Sequence, residues 1–147
     1  MKILYLCTGN SARSLMAEAF TRQLVPPNAP IEVFSAGTHP AGIHPETVAV
    51  MSEVGVEMTP YSSKGLSEIP FDTIDLVVTL CDDARRSCPA PPTGANRIHW
   101  GLRDPAAADG STAPIHERFQ ATRDEVHACV RKLMFELATA RKLRQES

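Results

Sequence analysis

The chain of 147 residues is long enough for one domain that buries most of its apolar side chains. Hydrophobic residues make up 43% and charged residues 22% of the sequence, as in ordinary globular proteins. A formal net charge of −2 provides no broad basic field, so we expect no nucleic-acid partner and only local binding of anions. No apolar run approaches the roughly 20 residues that span a bilayer, and the first residues lack a secretory signal. We therefore expect a cytoplasmic protein, one catalytic domain over residues 1–147, with no membrane partner.

Strands and helices are predicted to alternate along the chain. Residues 2–6 form a short apolar run that ends at a glycine-containing turn, which indicates a buried strand. Apolar side chains then recur every four residues up to the Pro-Pro pair at 26–27, which predicts a helix that Ser14 would cap. The later predicted elements are a strand at 31–36, a helix at 45–54, strands at 74–80 and 97–100, and a helix from Ile115 to near the C-terminus.

The segment IDLVVTL, residues 74–80, is apolar with almost no alternation, which is typical of a central parallel strand covered on both faces. Strands alternating with helices imply a three-layer α/β sandwich around a small parallel sheet. Two loops rich in Pro, Gly, Ala and Ser, residues 89–95 and 104–114, are predicted to be mobile surface segments. In the last helix, Cys129 falls on the apolar face and is expected in the core.

The most informative stretch follows the first predicted strand and reads CTGNSARS, residues 7–14. A strand, a short loop and a helix N-terminus bring backbone N–H groups together, and the helix dipole adds positive charge there. Arg13 can offer two parallel N–H donors to a tetrahedral oxyanion, and the same field favours the thiolate form of a nucleophilic Cys7. Asn10 could hold a left-handed turn, and the Ser14 hydroxyl could donate to the sulfur. The candidate anion-binding residues are Thr8, Gly9, Asn10, Ser11, Ala12, Arg13 and Ser14.

Position alone leaves a simpler interpretation of this stretch open. Cys7 could be a small buried hydrophobe at a strand end, and Arg13 a solvated residue at a helix start. The loop matches neither of the glycine patterns of nucleotide-binding loops, so a nucleotide site is not expected.

A candidate proton donor, Asp104, follows the last predicted strand and precedes Pro105. Carboxyl ends of parallel strands meet at one edge of the sheet, so Asp104 should lie near Cys7 and could protonate an oxygen that leaves after covalent attack. Without the first loop, Asp-Pro would indicate an ordinary turn.

Two more cysteines, Cys81 and Cys88, follow the most apolar strand. They could be a metal site, although their spacing matches no common zinc motif, or two buried structural thiols, or a thiol relay. The segment between them is predicted to be helical, which separates them by about 10 Å. A disulfide needs Cα atoms about 4.4–6.8 Å apart. We therefore predict a switch in which residues 82–88 are helical when the two cysteines are reduced and unwind when they are oxidised. Residues 89–95 would supply the extra chain length.

Taken together, these residues resemble the thioredoxin-coupled arsenate reductases built on the low-molecular-weight protein tyrosine phosphatase fold. The matching segments are CTGNSARS-x-MAE at the start, FSAG at 34–37, DLVVTLC at 75–81, Cys88-Pro89 and HWGLRDP at 99–105. The resemblance implies a three-layer α/β/α sandwich with a four-stranded parallel sheet.

The same resemblance implies a reaction in three thiol steps that serves arsenic detoxification. Cys7 attacks arsenate held by Arg13 and the loop amides, while Asp104 protonates the leaving hydroxide. Cys81 then attacks Cys7 and releases arsenite, and Cys88 attacks Cys81 to form a disulfide that thioredoxin reduces. Arsenate is the implied substrate, with phosphate or sulfate as mimics, and thioredoxin is the implied partner of a monomer.

No organic cofactor is implied, and no metal is predicted. Some members of the resembling family bind a monovalent cation through oxygen-bearing side chains near the first loop. Lys64 stands where an acidic ligand would be expected, so its ammonium could replace the ion. The residues around it that could take part are Asn10, Glu18, Ser35 and either Ser62 or Ser63.

Two rival functions remain at this point. The first is a low-molecular-weight protein tyrosine phosphatase, because phosphate and arsenate have nearly the same shape. Such phosphatases usually carry tyrosines after Asp-Pro, whereas Ala106 and Ala107 follow here, so we expect at most weak phosphatase side activity. The second is a thiol-based redox or metalloid sensor, but the sequence offers no DNA-binding helix or basic patch.

Overall fold

The computed structural model describes residues 1–92, 94–107 and 113–146. Within them it confirms the predicted alternation of strands and helices. The elements are β1 (Lys2–Cys7), α1 (Arg13–Leu24), β2 (Glu32–Gly37), α2 (Pro45–Ser52), β3 (Leu76–Thr79), α3 (Asp82–Ser87), β4 (Asn96–His99) and α4 (Ile115–Glu146). Two 3-10 turns, Leu66–Glu68 and Phe71–Thr73, precede β3 and are not predicted, because a single turn carries no apolar periodicity.

The strands form one parallel sheet in the order β2-β1-β3-β4, which confirms the expected four-stranded sheet. β1 is buried from its second residue onward and β3 throughout, which explains why neither sequence alternates. The chain leaves β1 towards one edge of the sheet and β3 towards the other. A ligand crevice is therefore expected at the carboxyl ends of these two neighbouring strands.

Helices cover both faces of the sheet, as a three-layer sandwich requires. α1 packs against α4 and β2, and α2 also packs against α4, whereas α3 contacts β1 and β3. Right-handed crossovers from β1 to β2 and from β3 to β4 place α1 and α3 on opposite faces. Much of the core lies between the sheet and the α1–α4 pair, where Tyr5, Leu15, Met16 and Phe119 are fully buried.

The prediction for Cys129 was wrong. Phe119, Val126 and Val130 of α4 are fully buried, but Cys129 is only half-buried. Val130 takes the core position in that turn, and the helical period then turns the preceding residue partly towards solvent.

The prediction that Ser14 caps α1 was also wrong. The helix begins one residue earlier, at Arg13, and its N-cap residue Ala12 makes no side-chain capping bond. Ser14 is fully buried, and its hydroxyl is hydrogen-bonded to the sulfur of Cys7, which is the other contact that the sequence suggested for it. The hydroxyl therefore serves the loop and not the backbone of the helix.

The other strand boundaries shift by one or two residues. The predicted strand at 74–80 pairs as a strand only at Leu76–Thr79, because a 3-10 turn precedes it and the carboxylate of Asp75 accepts a hydrogen bond from Lys2 N. Residue 93 of the first predicted loop and residues 108–112 of the second lie outside the described residues. Within the described part of the chain, no helix is both long and apolar enough to cross a membrane.

Candidate active site

The sulfur of Cys7 lies at the end of β1 and faces two hydrogen-bonding groups. Ser14 Oγ lies 2.8 Å from Cys7 Sγ, and the backbone N–H of Asn10 donates to the sulfur at 3.3 Å. Cys7 is only 2% exposed. Groups of this kind, held at a buried sulfur, can stabilise the negative charge of a nucleophilic thiolate.

Asn10 fixes the shape of the loop after β1. Its φ of 46° confirms the predicted left-handed turn. Its side-chain amide donates to the hydroxyls of Ser14 and Ser35 at 2.8 and 3.0 Å, and its Oδ1 accepts from Lys64 N at 2.7 Å. A Cβ at Gly37 would lie 2.6 Å from the Thr8 carbonyl oxygen, so β2 can approach the loop this closely only with glycine there.

Two backbone carbonyls, one after β3 and one after β4, hold the side chain of Arg13 in place. Its Nη1 donates to the carbonyl of Leu102 at 2.9 Å and to that of Leu80 at 3.4 Å, and the residue is 8% exposed. Two carbonyls fix one nitrogen of the planar guanidinium, so the group is presented to the loop in one orientation.

A cavity of about 430 Å³ lies over the loop and brings the predicted residues together. Asp104 lines it, and the carboxylate of Asp104 is fixed by a 2.9 Å hydrogen bond from Ala106 N. The lining residues are Cys7, Thr8, Gly9, Ser11, Ala12, Arg13, His39, Ala41, Cys81, Asp82, Asp83 and Asp104. The predicted loop residues Asn10 and Ser14 lie behind this surface and support it.

Four lining residues were not predicted. His39 and Ala41 follow β2, whose carboxyl end meets the same sheet edge, and this placement was the available signal. Asp82 and Asp83 begin α3, in the segment for which the sequence predicted only a helix.

Cys81 lies beside the loop that holds Cys7. Its sulfur is 3.2 Å from Thr8 Oγ1, and it is 8% exposed. Cys81 is also the N-cap of α3, because its sulfur accepts a hydrogen bond from Ala84 N at 3.3 Å. One sulfur thus contacts both the loop after β1 and the first turn of α3.

Cys88 lies at the other end of α3, as its C-cap residue. It is half-buried and does not line the cavity. Partial burial raises the pKa of its thiol, and the nearby Arg97 charge opposes that rise. The intact helix keeps Cys81 and Cys88 at its opposite ends, as predicted, and both are free thiols.

An ammonium lies among the oxygen atoms behind the loop. Lys64 Nζ is 3.6 Å from Glu18 Oε1 and 3.5 Å from Ser35 Oγ, and it donates to the Ser62 carbonyl at 2.7 Å. Glu18 is buried and also accepts from Arg22 at 2.8 Å. This is the position in which the sequence suggested that Lys64 could replace a cation.

A protein-family model described as low molecular weight phosphotyrosine protein phosphatase matches residues 2–145. The chain belongs to this family. Within the low-molecular-weight phosphatase family, its relatives include an arsenate reductase of Shouchella clausii, 42% identical over 132 residues that cover 89% of this chain and 94% of that protein.

Solved structures of arsenate reductases are also similar to this chain. A structure described as an arsenate reductase in the phosphate binding state has a TM-score of 0.70 at 29% identity, covering 92% of this chain and 97% of that one. A thioredoxin-dependent arsenate reductase of Corynebacterium glutamicum has a TM-score of 0.72 at 28% identity. That match covers 95% of this chain and 62% of the other.

Proposed function

We propose that this chain reduces arsenate to arsenite through a relay of Cys7, Cys81 and Cys88, and that thioredoxin restores the thiols. The observation that carries the proposal is the position of Cys81, whose sulfur lies 3.2 Å from Thr8 Oγ1 of the anion-binding loop. A phosphatase restores its nucleophile with water and needs no second thiol there. The curated relatives at about 40% identity, which are arsenate reductases, support the same reaction.

The first step joins sulfur to arsenic. Arg13 and the loop N–H groups hold the oxyanion, and the Cys7 thiolate attacks As(V). An arsenate oxygen leaves as water after Asp104 supplies a proton. The cavity that contains all three side chains supports this assignment.

The second step transfers two electrons to arsenic. The Cys81 thiolate attacks Cys7 Sγ, the S–As bond breaks, and its electron pair reduces As(V) to As(III). Arsenite leaves, and a Cys7–Cys81 disulfide remains.

In the third step, the Cys88 thiolate attacks Cys81 Sγ and the Cys7 thiolate leaves. The disulfide is now Cys81–Cys88, and the two thiols of thioredoxin can reduce it. Residues 82–87 must unwind for this exchange, because the helix keeps its two end cysteines too far apart to bond. No organic cofactor or metal is needed for this electron balance.

We further propose that the protein works as a cytoplasmic monomer with one catalytic domain, since that compartment keeps thiols reduced. Weak phosphatase activity is expected as a side reaction of the shared oxyanion cradle. The described residues that line the cavity include no Phe, Tyr or Trp to hold a phenyl ring, which argues against tyrosine phosphatase as the main activity.

The test is arsenate-dependent oxidation of NADPH in the presence of thioredoxin and thioredoxin reductase. The unmodified chain should turn over many times, Cys88→Ser should release one arsenite per chain, and Cys81→Ser should release none. Cys129→Ser is the matched control and should turn over normally, since Cys129 lies on α4 away from the cavity. Normal turnover of Cys88→Ser would contradict this order of thiols.

A further inference from the structure

α3 has little of its own to hold it in place. It has six residues, Asp82–Ser87, and of these only Ala84 is buried. A free helix of this length is unstable in water, because too few hydrogen bonds repay its nucleation. Contacts from outside the helix must therefore decide how often it opens.

β4 supplies a contact at each end of α3. At the start of the helix, His99 Nε2 donates to the carboxylate of Asp82 at 3.1 Å. In the last turn, the Arg97 guanidinium donates to the carbonyl oxygen of Arg85. Arg97 and His99 are two residues apart on the strand, so their side chains point to the same face of the sheet, over which the helix lies.

A buried residue of β3 fixes the imidazole that contacts the start of α3. Thr79, fully buried in β3, is hydrogen-bonded through its hydroxyl to His99 Nδ1 at 2.7 Å. The imidazole, whose side chain is 19% exposed, is therefore held at both ring nitrogens. The link Thr79–His99–Asp82 spans the two residues between β3 and α3, the second of which is Cys81.

We propose that His99 and Arg97 are positioning residues of the thiol relay. They hold α3 closed in the reduced protein, which keeps the Cys81 sulfur at the helix start beside the anion-binding loop. They must release α3 before Cys88 can attack Cys81 Sγ, form the Cys81–Cys88 disulfide and expel the Cys7 thiolate. This inference rests on the proposed relay.

Both contacts stabilise only the dithiol form, because the disulfide needs the helix to open. A contact made in the reduced form alone raises the reduction potential of the pair. Removing either contact should therefore favour the Cys81–Cys88 disulfide. The Arg97 charge acts in the same direction, since it also favours the thiolate of Cys88 in the reduced form.

The experiment measures the equilibrium between the Cys81–Cys88 dithiol and glutathione. It uses the full-length Cys7→Ser chain, and peptide mapping identifies the cysteines that pair. Oxidised glutathione takes two electrons from the two thiols and yields two molecules of reduced glutathione, so no arsenate is involved. Failure of the pair to form under oxidising conditions would contradict the relay itself and overturn the inference with it.

His99→Ala should shift this equilibrium about two- to fivefold towards the disulfide, as expected for a partly exposed pair of polar groups. Arg97→Ala should shift it in the same direction. The double variant should shift it about tenfold, which lowers the reduction potential by about 30 mV for two electrons. His99→Gln, which places an N–H near the position of Nε2, should restore part of the difference.

Two further variants separate a local contact from general loss of stability. Asp82→Asn weakens the same hydrogen bond from its exposed side, so its effect and that of His99→Ala should not add. His116→Gln also removes a carboxylate-bonded histidine, but on α4, and should leave the equilibrium unchanged. The inference is overturned if His99→Ala and Arg97→Ala leave the equilibrium unchanged, shift it towards the dithiol, or shift it no more than His116→Gln.

Discussion

Lys64 binds the buried polar groups behind the loop that follows β1. Glu18 is a buried carboxylate, and its two oxygens are served by Arg22 on one side and by Lys64 and Ser35 on the other. A buried charge that loses one partner keeps its desolvation cost. Lys64 therefore stabilises the back of the loop through Glu18 and, by its backbone N–H, through Asn10.

We expect Lys64→Gln to lower the free energy of unfolding by about 1–2 kcal/mol, because Arg22 still serves Glu18. The variant should also become more stable when K⁺ is added, whereas the unmodified chain should not. Urea unfolding with and without K⁺ measures both effects. Lys132→Gln, which replaces a lysine whose side chain is 81% exposed, is the control and should change stability little. Equal K⁺ dependence in all three chains would contradict the role given to Lys64.

Residues also show how far the sequence could predict the site. The left-handed Asn10 and the helical segment between Cys81 and Cys88 follow from local rules of turns and helix starts, and both are found. The 3.2 Å contact between Thr8 and Cys81 joins residues 73 positions apart, and no local pattern can contain it. The sequence suggested two roles for Ser14, a cap of α1 and a partner of the Cys7 sulfur, and only the second is found, because local rules cannot decide which group binds the hydroxyl.

Among the elements, α4 contacts the two ends of α2 through one histidine that is bonded to two carboxylates. His116 Nδ1 lies 2.6 Å from Glu46 Oε2, and Nε2 lies 3.0 Å from Glu53 Oε2. The hydrogen bond to Glu46, then that to Glu53, raises the pKa of His116. Hydrogen bonds from Gln120, then from His116, lower the pKa of Glu53, to which Arg123 is also bound. The contact is therefore strongest when the imidazole and both carboxylates are charged.

These shifts give a stability that depends on pH in a defined direction. A histidine whose pKa is higher in the folded state stabilises the fold below its unfolded pKa, and this contribution is lost as pH rises through the folded pKa. We expect the urea midpoint of the unmodified chain to exceed that of His116→Gln at about pH 6, and the difference to shrink by about pH 9. His39→Gln is the control. His39 is exposed, and among the described residues no carboxylate lies at hydrogen-bonding distance from it. The difference in urea midpoint between this variant and the unmodified chain should not shrink in this way between about pH 6 and pH 9. A difference that grows with pH would contradict the assignment.

Elements were predicted better than their ends and their packing partners. β1 and β3 are buried on both faces, so their apolar runs identify them as strands even though the runs do not give their exact ends. The ends depend on hydrogen bonds to distant residues, such as the one from Lys2 N to Asp75 that precedes β3. The contacts of β4 with α3 depend on Arg97 and His99, whose partners become visible only when the sheet is assembled.

For the whole molecule, we expect an anion that binds the loop after β1 to couple the candidate site to the stability of the fold. This loop joins β1 to the start of α1, and Arg13 ties it to the carbonyls of Leu80 and Leu102, which follow β3 and β4. An anion that binds only the folded chain stabilises all of these elements together. Inorganic phosphate, a mimic of arsenate that no thiol reduces, isolates this binding from the chemistry.

We expect phosphate at about one hundred times its Kd to add about 2.7 kcal/mol to the free energy of unfolding, which raises Tm by roughly 5–10 °C. Sulfate should act similarly, and chloride at equal ionic strength should not.

Arg13→Lys loses the two-donor geometry, so its phosphate affinity should fall tenfold or more. Arg123→Lys is the matched control, because Arg123 is also mostly buried and also donates to a backbone carbonyl, that of Val50, yet lies outside the cavity. It should lower Tm without phosphate but keep the phosphate-dependent increase. If Arg13→Lys kept that increase in full, Arg13 would not be the group that holds the oxyanion.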